Sequence, residues 1–288
     1  MPSVHMNTKK HEVIAAELIA GKQGGIRLLE LLRSKACGAY TFYREGEMAV
    51  LSVINEGRTV SLLTSIPERS ADSDTLQSLL KHAITALSSQ SLTLAQIVLN
   101  EPVPPLQIHA ITEAGFEELA KLNYLKRQAT IPMPRVSNKP EVHFESMETL
   151  NDVALGKVLE DTYVGSLDCP NLHGVRPIQD IIDGHRMSTP YQPAYWFIGT
   201  IDESPACVLL LNPKDGDLEL AYVGVIPSQR GRGIADCCLT KTIQLAQHHD
   251  FQRITLVVDK ANVNAGELYA KWGFTKTQSR HAFMHKLC

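Results

Sequence analysis

No apolar run in this chain approaches the roughly 18 residues that a membrane-spanning helix needs, and residues 1–10 hold no apolar core of the kind a secretory leader carries. A membrane partner is therefore not expected, and the cytoplasm is the expected compartment. Charge of one sign is also missing. The 28 Lys and Arg against 31 Asp and Glu leave a formal charge of -3, which supplies no field for nucleic acid. Any anion the protein binds must be held locally. The six cysteines, Cys37, Cys169, Cys207, Cys237, Cys238 and Cys288, form no C-x-x-C pair, and the 11 histidines fall in no H-E-x-x-H or similar spacing. Neither a disulfide framework nor a metal site is expected, and the thiols read as reduced core filler.

What is present is an ordinary globular composition, 44% hydrophobic and 20% charged, spread over 288 residues. That is about twice the commonest domain length, so two domains are expected. Prolines at 132, 134 and 140 mark a linker near the middle, because proline removes donors and biases its predecessor toward extended backbone. The expected segmentation is 1–130, a linker at 131–141, and 142–288.

The halves repeat weakly. Thr59 to Pro67 reads as a strand ending in Ile-Pro, followed by apolar residues at helical spacing (76, 79, 80, 83, 84, 87). Leu218 to Pro227 ends in the same pair 160 residues later and precedes a helix-like segment from Ala235. Short strands follow in each half, at Ala95–Leu99 and Arg253–Val258, and then second helices ending near an aromatic, at Phe116–Tyr124 and Glu267–Phe274. Strand-helix-strand order at this spacing predicts an α/β domain in each half.

The turns after the two prolines differ. The first reads Glu-Arg-Ser-Ala-Asp-Ser-Asp; the second reads Ser228-Gln-Arg-Gly-Arg-Gly-Ile234. Glycines between a strand and a helix let backbone N–H groups converge, and the helix start adds its positive dipole end, so such a turn cradles phosphate oxygens. Arg230 and Arg232 add cationic donors, whereas Asp72 and Asp74 would repel a phosphate. Only the second half is expected to hold a pyrophosphate. The glycine pattern departs from the G-x-G-x-x-G of a dinucleotide-binding dehydrogenase.

Arg230-Gly231-Arg232-Gly233-Ile234-Ala235 resembles the R/Q-x-x-G-x-G/A signature of the GCN5-related N-acetyltransferases (the GNAT superfamily). Asn262 to Phe274 resembles that superfamily's N-x-x-A-x-x-L-Y-x-x-x-G-F segment. The close resemblance covers about residues 195–285; the first half shares only the pattern and lacks both motifs. The layout is similar to the tandem GNAT arrangement of mycothiol synthase, with a degenerate N-terminal copy. The implied fold is α/β with a mixed sheet: two tandem GNAT-like domains, each a mostly antiparallel twisted sheet flanked by helices.

The resemblance implies transfer of an acetyl group from acetyl-CoA to a primary amine by direct attack in the C-terminal domain, with no metal. Residues 230–235 would bind the pyrophosphate. The backbone of Val223, Gly224 and Val225, on the strand before the turn, would meet the pantetheine arm and the thioester oxygen. Asn262 would touch the cofactor or cap the next helix. Tyr269 would protonate the departing thiolate, a step suited to a phenol because its proton affinity is close to a thiol's. Glu219 on the same strand is the candidate base, with Tyr222 a second polar candidate. In the turn-rich segment 162–176, Asp168 is placed to pair with a substrate ammonium; Asp180, Asp183 and His185 follow it. Tyr191, Tyr195 and Trp196 either line that cleft or begin the next strand. Cys237 and Cys238 are assigned to packing. A small-molecule acceptor is favoured over a protein, although a protein-modifying acetyltransferase and a non-catalytic acyl-CoA sensor remain open.

Overall fold

The computed structural model describes residues 8–34, 38–137, 139–187 and 191–287. Cys37, Cys288, Asn138 of the proline-rich segment and the first seven residues lie outside them. Along the chain the elements are α1 (Lys9–Arg33), β1 (Tyr40–Glu45), β2 (Met48–Asn55), β3 (Thr59–Thr64), α2 (Ser70–Ser88), β4 (Leu94–Asn100), α3 (Pro105–Glu113), β5 (Glu117–Gln128), β6 (His143–Ser146), α4 (Asp152–Tyr163), α5 (Ile178–Met187), β7 (Trp196–Ile201), β8 (Ser204–Lys214), β9 (Asp217–Val225), α6 (Ile234–His248), β10 (Arg253–Asp259), α7 (Val263–Lys271) and β11 (Thr275–Lys286). None of the described helices is long and apolar enough to cross a membrane.

These elements form two compact units. The first comprises Met1–Ala120 with Arg280–Cys288, the second Lys121–Ser279. The division does not follow the chain: the last nine residues join the first unit, and most of β5 joins the second. The proline-rich segment falls within the second unit, where residues 131–137 and 139–142 run without regular structure.

In the first unit the strands run β1-β2-β3-β4, and residues 280–286 of β11 add an antiparallel strand beside β4. Only β3 and β4 are parallel, joined by α2 as the expected crossover. Alternation along β2 sorts the core. Met48 and Val50 pack with α2 and α3, while Ala49 and Leu51 pack with α1. The predicted apolar stripe of α2 is the observed one, with Leu76, Leu79, Leu80, Ala83 and Leu87 buried.

The second unit has the order β5-β10-β9-β8-β7-β6, and β9 and β10 are its parallel pair, joined by α6. Along β8, Cys207, Leu209 and Leu211 pack toward α6 and α7, while Val208 and Leu210 pack toward α4 and α5. Each unit is thus a mixed, mostly antiparallel sheet with helices on both faces, as expected.

One prediction fails. Residues 116–124 are not a helix: 117–128 form β5, and the helix of this region lies upstream, opened by Pro104-Pro105 and closed at Ala114. The true counterpart of Gly273-Phe274 is Gly115-Phe116, each pair following a helix and starting a strand. The Phe116, Leu119, Ala120 spacing imitates a helical face, but seven register pairs with β10, from Gln128↔Arg253 to Leu122↔Asp259, impose the extended form.

Candidate active site

Strand β9 makes the site by parting from its parallel neighbour. Its pairing with β10 runs only from Asp217↔Arg253 to Leu220↔Leu256, after which β10 stays with β5. On its other edge the register with β8 skips Ala221, passing from Leu220↔Leu211 to Tyr222↔Leu210, which is a β-bulge. Residues 221–225 therefore face β10 without a ladder, and a cavity of about 640 Å³ opens there.

Proline 227 ends the strand, a single 3-10 turn follows, and the chain passes through Gly231 (φ 76) and Gly233 (φ 81) before α6 begins at Ile234. Both glycines occupy the left-handed region, where a Cβ is strained. Among the described residues, no acceptor takes a hydrogen bond from the backbone N–H of Gly231, Arg232, Gly233, Ile234, Ala235 or Asp236; Cys237 N is the first to bond, to Gly233 O at 3.3 Å. Six consecutive free donors at a helix start, five of them on residues that line one cavity, fit a pyrophosphate.

The matching turn of the first unit is built the other way. There α2 begins at Ser70, the position equivalent to Arg230, so residues 65–69 alone separate strand from helix and no glycine turn precedes it. Its end is closed by Asp72, whose carboxylate accepts from Arg69 N (3.1 Å), Nε (3.1 Å) and Nη2 (2.8 Å). A carboxylate already fills the place an anion would take.

The two arginines of the turn separate in role. Arg232 is exposed and bonds only Gln229 Oε1. Arg230 turns away from the phosphate position: its Nε donates to Val225 O (3.0 Å), Nη1 to Gly165 O (3.0 Å), and Nη2 to Thr162 O (3.0 Å) and Val164 O (2.7 Å). Three of those carbonyls are at or just past the C-terminal end of α4, where the helix leaves its last acceptors open.

Thr162 links that end to β9. Its hydroxyl donates to Leu159 O at 2.7 Å, and having one proton it must accept the Tyr222 O–H, also at 2.7 Å. Gly224, two residues on and so on the same face of the strand, leaves space for this pair. A Cβ there would stand 2.5 Å from the Tyr222 hydroxyl and 2.7 Å from Thr162 Oγ1. Burial raises the Tyr222 phenol to about 12.

Tyr269 is 6% exposed on α7 and lines the cavity, and its hydroxyl makes no hydrogen bond to a described residue. Burial, with the negative charge of Asp168 added, raises its proton affinity, so it is a phenol that holds its proton. Asp168 lines the same cavity. Its Oδ1 accepts from Asp259 N at 3.0 Å, while Asp259 Oδ2 accepts from Cys169 N at 3.3 Å. Burial first, and the neighbouring Asp259 charge, push the Asp168 carboxyl above its ordinary range, though the hydrogen bond from Asp259 N opposes this.

The cavity gathers Val223, Gly224, Val225, Arg230, Gly231, Gly233, Ile234, Ala235, Asn262, Asp168, Tyr222 and Tyr269 from the sequence candidates. Glu219 and Arg232 are not among its lining residues; Glu219 lies below the point where β9 and β10 part, opposite Asn212 and Thr255. Asn262 also caps α7, accepting from Ala265 N at 3.3 Å. Tyr195 and Trp196 belong to the core that starts β7, with Trp196 Nε1 bonded to Asn212 Oδ1. The Cys237 and Cys238 thiols are pushed up, not down: burial leads for Cys237, and a bond to Cys207 at 3.6 Å leads for Cys238. Asp259 was missed because a lone acid ending a strand carries no pattern. Among the described residues no group of three His, Cys, Asp or Glu is placed to hold a metal.

A parallel pair thus parts above a glycine turn with unpaired N–H groups, and a tyrosine that keeps its proton lines the cavity opened there. Residues 167–274 match the model of the Acetyltransferase (GNAT) family. The whole chain shares its fold with a GCN5-related N-acetyltransferase from Sphaerobacter thermophilus (TM-score 0.67, 13% identity, 99% of this chain and 95% of that one). It also matches a tandem GNAT protein from the clavulanic acid biosynthesis pathway (0.53, 12%, 99% and 98%). A third match is a GCN5-related N-acetyltransferase from Kribbella flavida (0.52, 15%, 94% and 95%). No curated protein matches the chain by sequence.

Proposed function

We infer that the second unit transfers an acetyl group from acetyl-CoA to a primary amine by direct attack, and that the first unit is a non-catalytic copy of the same fold. One observation carries the reading. Six consecutive backbone donors at residues 231–236 are unpaired, and all of those residues but Arg232 line the cavity that Tyr269 and Asp168 also line. Donors that fit a pyrophosphate, a phenol that keeps its proton and a carboxylate without a cation are the three things acyl transfer to an ammonium requires of a protein.

The parts divide the work. The turn N–H groups hold the pyrophosphate, and the ladder-free edge of Val223–Val225 supplies backbone groups for the thioester arm. Asp168 meets the acceptor ammonium, and Tyr269 returns a proton to the leaving thiolate. The self-capped end of α2 supports a first unit without cofactor. A small molecule suits an acceptor wall built from a short polar loop better than a protein does.

Calorimetric titration of the full chain with acetyl-CoA, followed by a thiol-release assay with primary amines, tests this. One site per chain, abolished by Gly233→Val, with thiol release that depends on an amine, is the expected result. Two sites would contradict the assignment of the first unit. Binding without turnover would make the protein an acyl-CoA sensor, and turnover only with a protein lysine would move the acceptor class.

A further inference from the structure

The proposed reaction needs a group to take the ammonium proton. Glu219, the candidate from the sequence, lies below the parting of β9 and β10 and does not line the cavity. Five acidic or phenolic side chains stand around the cavity: Asp168, Tyr222, Tyr269, Asp236, whose Oδ1 is held by Lys271 Nζ (3.0 Å) and Trp272 Nε1 (2.9 Å), and, behind Asp168, Asp259. Tyr222 is the donor to Thr162 and keeps its proton. Tyr269 holds its proton for the thiolate. Asp259 is 5% exposed, and both its oxygens are engaged, accepting from Ala261 N (2.9 Å) and Cys169 N (3.3 Å).

Asp168 differs from all of these. One oxygen is anchored by Asp259 N, and its backbone N–H donates to Ser166 Oγ at 3.2 Å, so both the side chain and its backbone are held. Its other oxygen makes no hydrogen bond or ion pair with a described residue, and the residue lines the cavity. The following residue, Cys169, adopts φ 44, a left-handed turn, and its N–H donates to Asp259 Oδ2. An anchored carboxylate with one free oxygen and no cation is a poor structural element and a good proton acceptor.

We propose that Asp168 is the general base of this site, taking the proton of the acceptor ammonium through its free oxygen. The inference rests on the acetyltransferase reading above. In the step, an N–H proton of the ammonium passes to Asp168, directly or through one water. The nitrogen lone pair forms the C–N bond at the thioester carbonyl carbon, and the C–S bond breaks with its electron pair left on sulfur. Tyr269 gives its proton to that sulfur, and a second proton from the nitrogen restores the phenol. Asp168 releases its proton to solvent. The ammonium has then lost two protons, one now on the thiol and one in water.

The titratable groups that face Asp168 are Asp259 from β10, Tyr163 from α4, Tyr222 from β9, Tyr269 from α7, and Cys169 and His173 on its own loop. His173 stacks on Tyr163 at 5.4 Å between ring centroids. Burial and Asp259 lift the Asp168 carboxyl toward the working pH, where a base is most effective.

The test uses the full chain, acetyl-CoA and 1,4-diaminobutane, tyramine and lysine as probe amines, with hydroxylamine as an acceptor already unprotonated at neutral pH. Asp168→Asn keeps the acceptor for Asp259 N. It is expected to lose about 100-fold in kcat, to lose the acid limb of the kcat profile, and to keep the acetyl-CoA Kd. It should lose far less with hydroxylamine, and added formate should restore part of the activity of Asp168→Gly. An Asp168→Asn enzyme that retains the acid limb, or that changes only the amine KM, overturns the base role while leaving the acetyltransferase reading intact. So does loss of that limb in Glu219→Gln instead. A wild-type chain that binds acetyl-CoA but releases no thiol with any probe overturns both.

Discussion

The guanidinium of Arg230 donates to the carbonyl of Val164 at 2.7 Å, so the first residue of the phosphate turn is also the tie that holds the end of the helix before the acceptor loop. With its bonds to Thr162, Gly165 and Val225 it fixes the cofactor side and the acceptor side of the cavity to each other. Arg230→Ala is therefore expected to raise the KM for the amine more than the Kd for acetyl-CoA, and to lower stability by about 1 to 2 kcal/mol, discounted for the exposure of the side chain. Arg232→Ala should do the opposite, leaving the urea midpoint unchanged and weakening acetyl-CoA binding most at low salt. Calorimetry at two ionic strengths with steady-state kinetics separates the two, and equal effects on acetyl-CoA binding would refute the division.

Gly224→Ala should be costly although its backbone is ordinary. The new methyl would meet the Tyr222 hydroxyl at 2.5 Å and Thr162 Oγ1 at 2.7 Å, so one of that bonded pair must move. A loss of about 1 to 3 kcal/mol is expected. It should shrink in the background of Tyr222→Phe, which removes the nearest atom. Urea unfolding of the two single variants and the double variant measures the coupling; strict additivity would show that the clash is relieved elsewhere.

Tyr269→Phe should leave the acetyl-CoA Kd nearly unchanged and lower kcat by about 100-fold, the range of a positioned proton donor. The defect should be smaller with an acetyl thioester of an acidic aryl thiol, whose thiolate leaves without a proton. A variant equally impaired with both donors would assign Tyr269 to packing against Phe274, its ring neighbour at 5.6 Å.

The raised Asp168 carboxyl makes a prediction about stability. A group whose folded proton affinity exceeds its unfolded one favours folding when protonated, so its contribution is present at low pH and is lost as pH rises through the folded value. Asp168→Asn should therefore be more stable than wild type at neutral pH, and the difference should vanish below about pH 4, the ordinary carboxyl range. Thermal unfolding of the ligand-free chain across pH measures this; a variant less stable at pH 7 would show that the carboxylate is stabilised by its surroundings.

Much of the site could be read directly. The Arg-Gly-Arg-Gly turn needs two left-handed residues and open N–H groups, and only glycine meets the first demand cheaply, so residues 230–235 announce their conformation. The stripe of α2, the Ile-Pro strand ends and the two crossovers were legible for similar reasons: each is a local pattern with one favourable fold. The Asn262 to Phe274 segment placed Tyr269 correctly on α7 because a cap and a glycine stop bound that helix at both ends.

Other features were decided by partners distant in the chain. Residues 117–128 carry a helical spacing and still form β5, since β10 offers them a ladder and an amphipathic segment this short takes the form its neighbour pairs with. Residues 280–286 pair with β4, nearly two hundred positions away, so the compact units cut across the linear repeat. Glu219 is excluded from the cavity and Asp168 admitted by the point at which β9 leaves β10, a property of two strands together. The sequence by itself determined the glycine turn with its open N–H groups, because glycine conformation and free helix donors are local. Only the tertiary structure decided which acid faces that turn, because proximity across strands is set by packing.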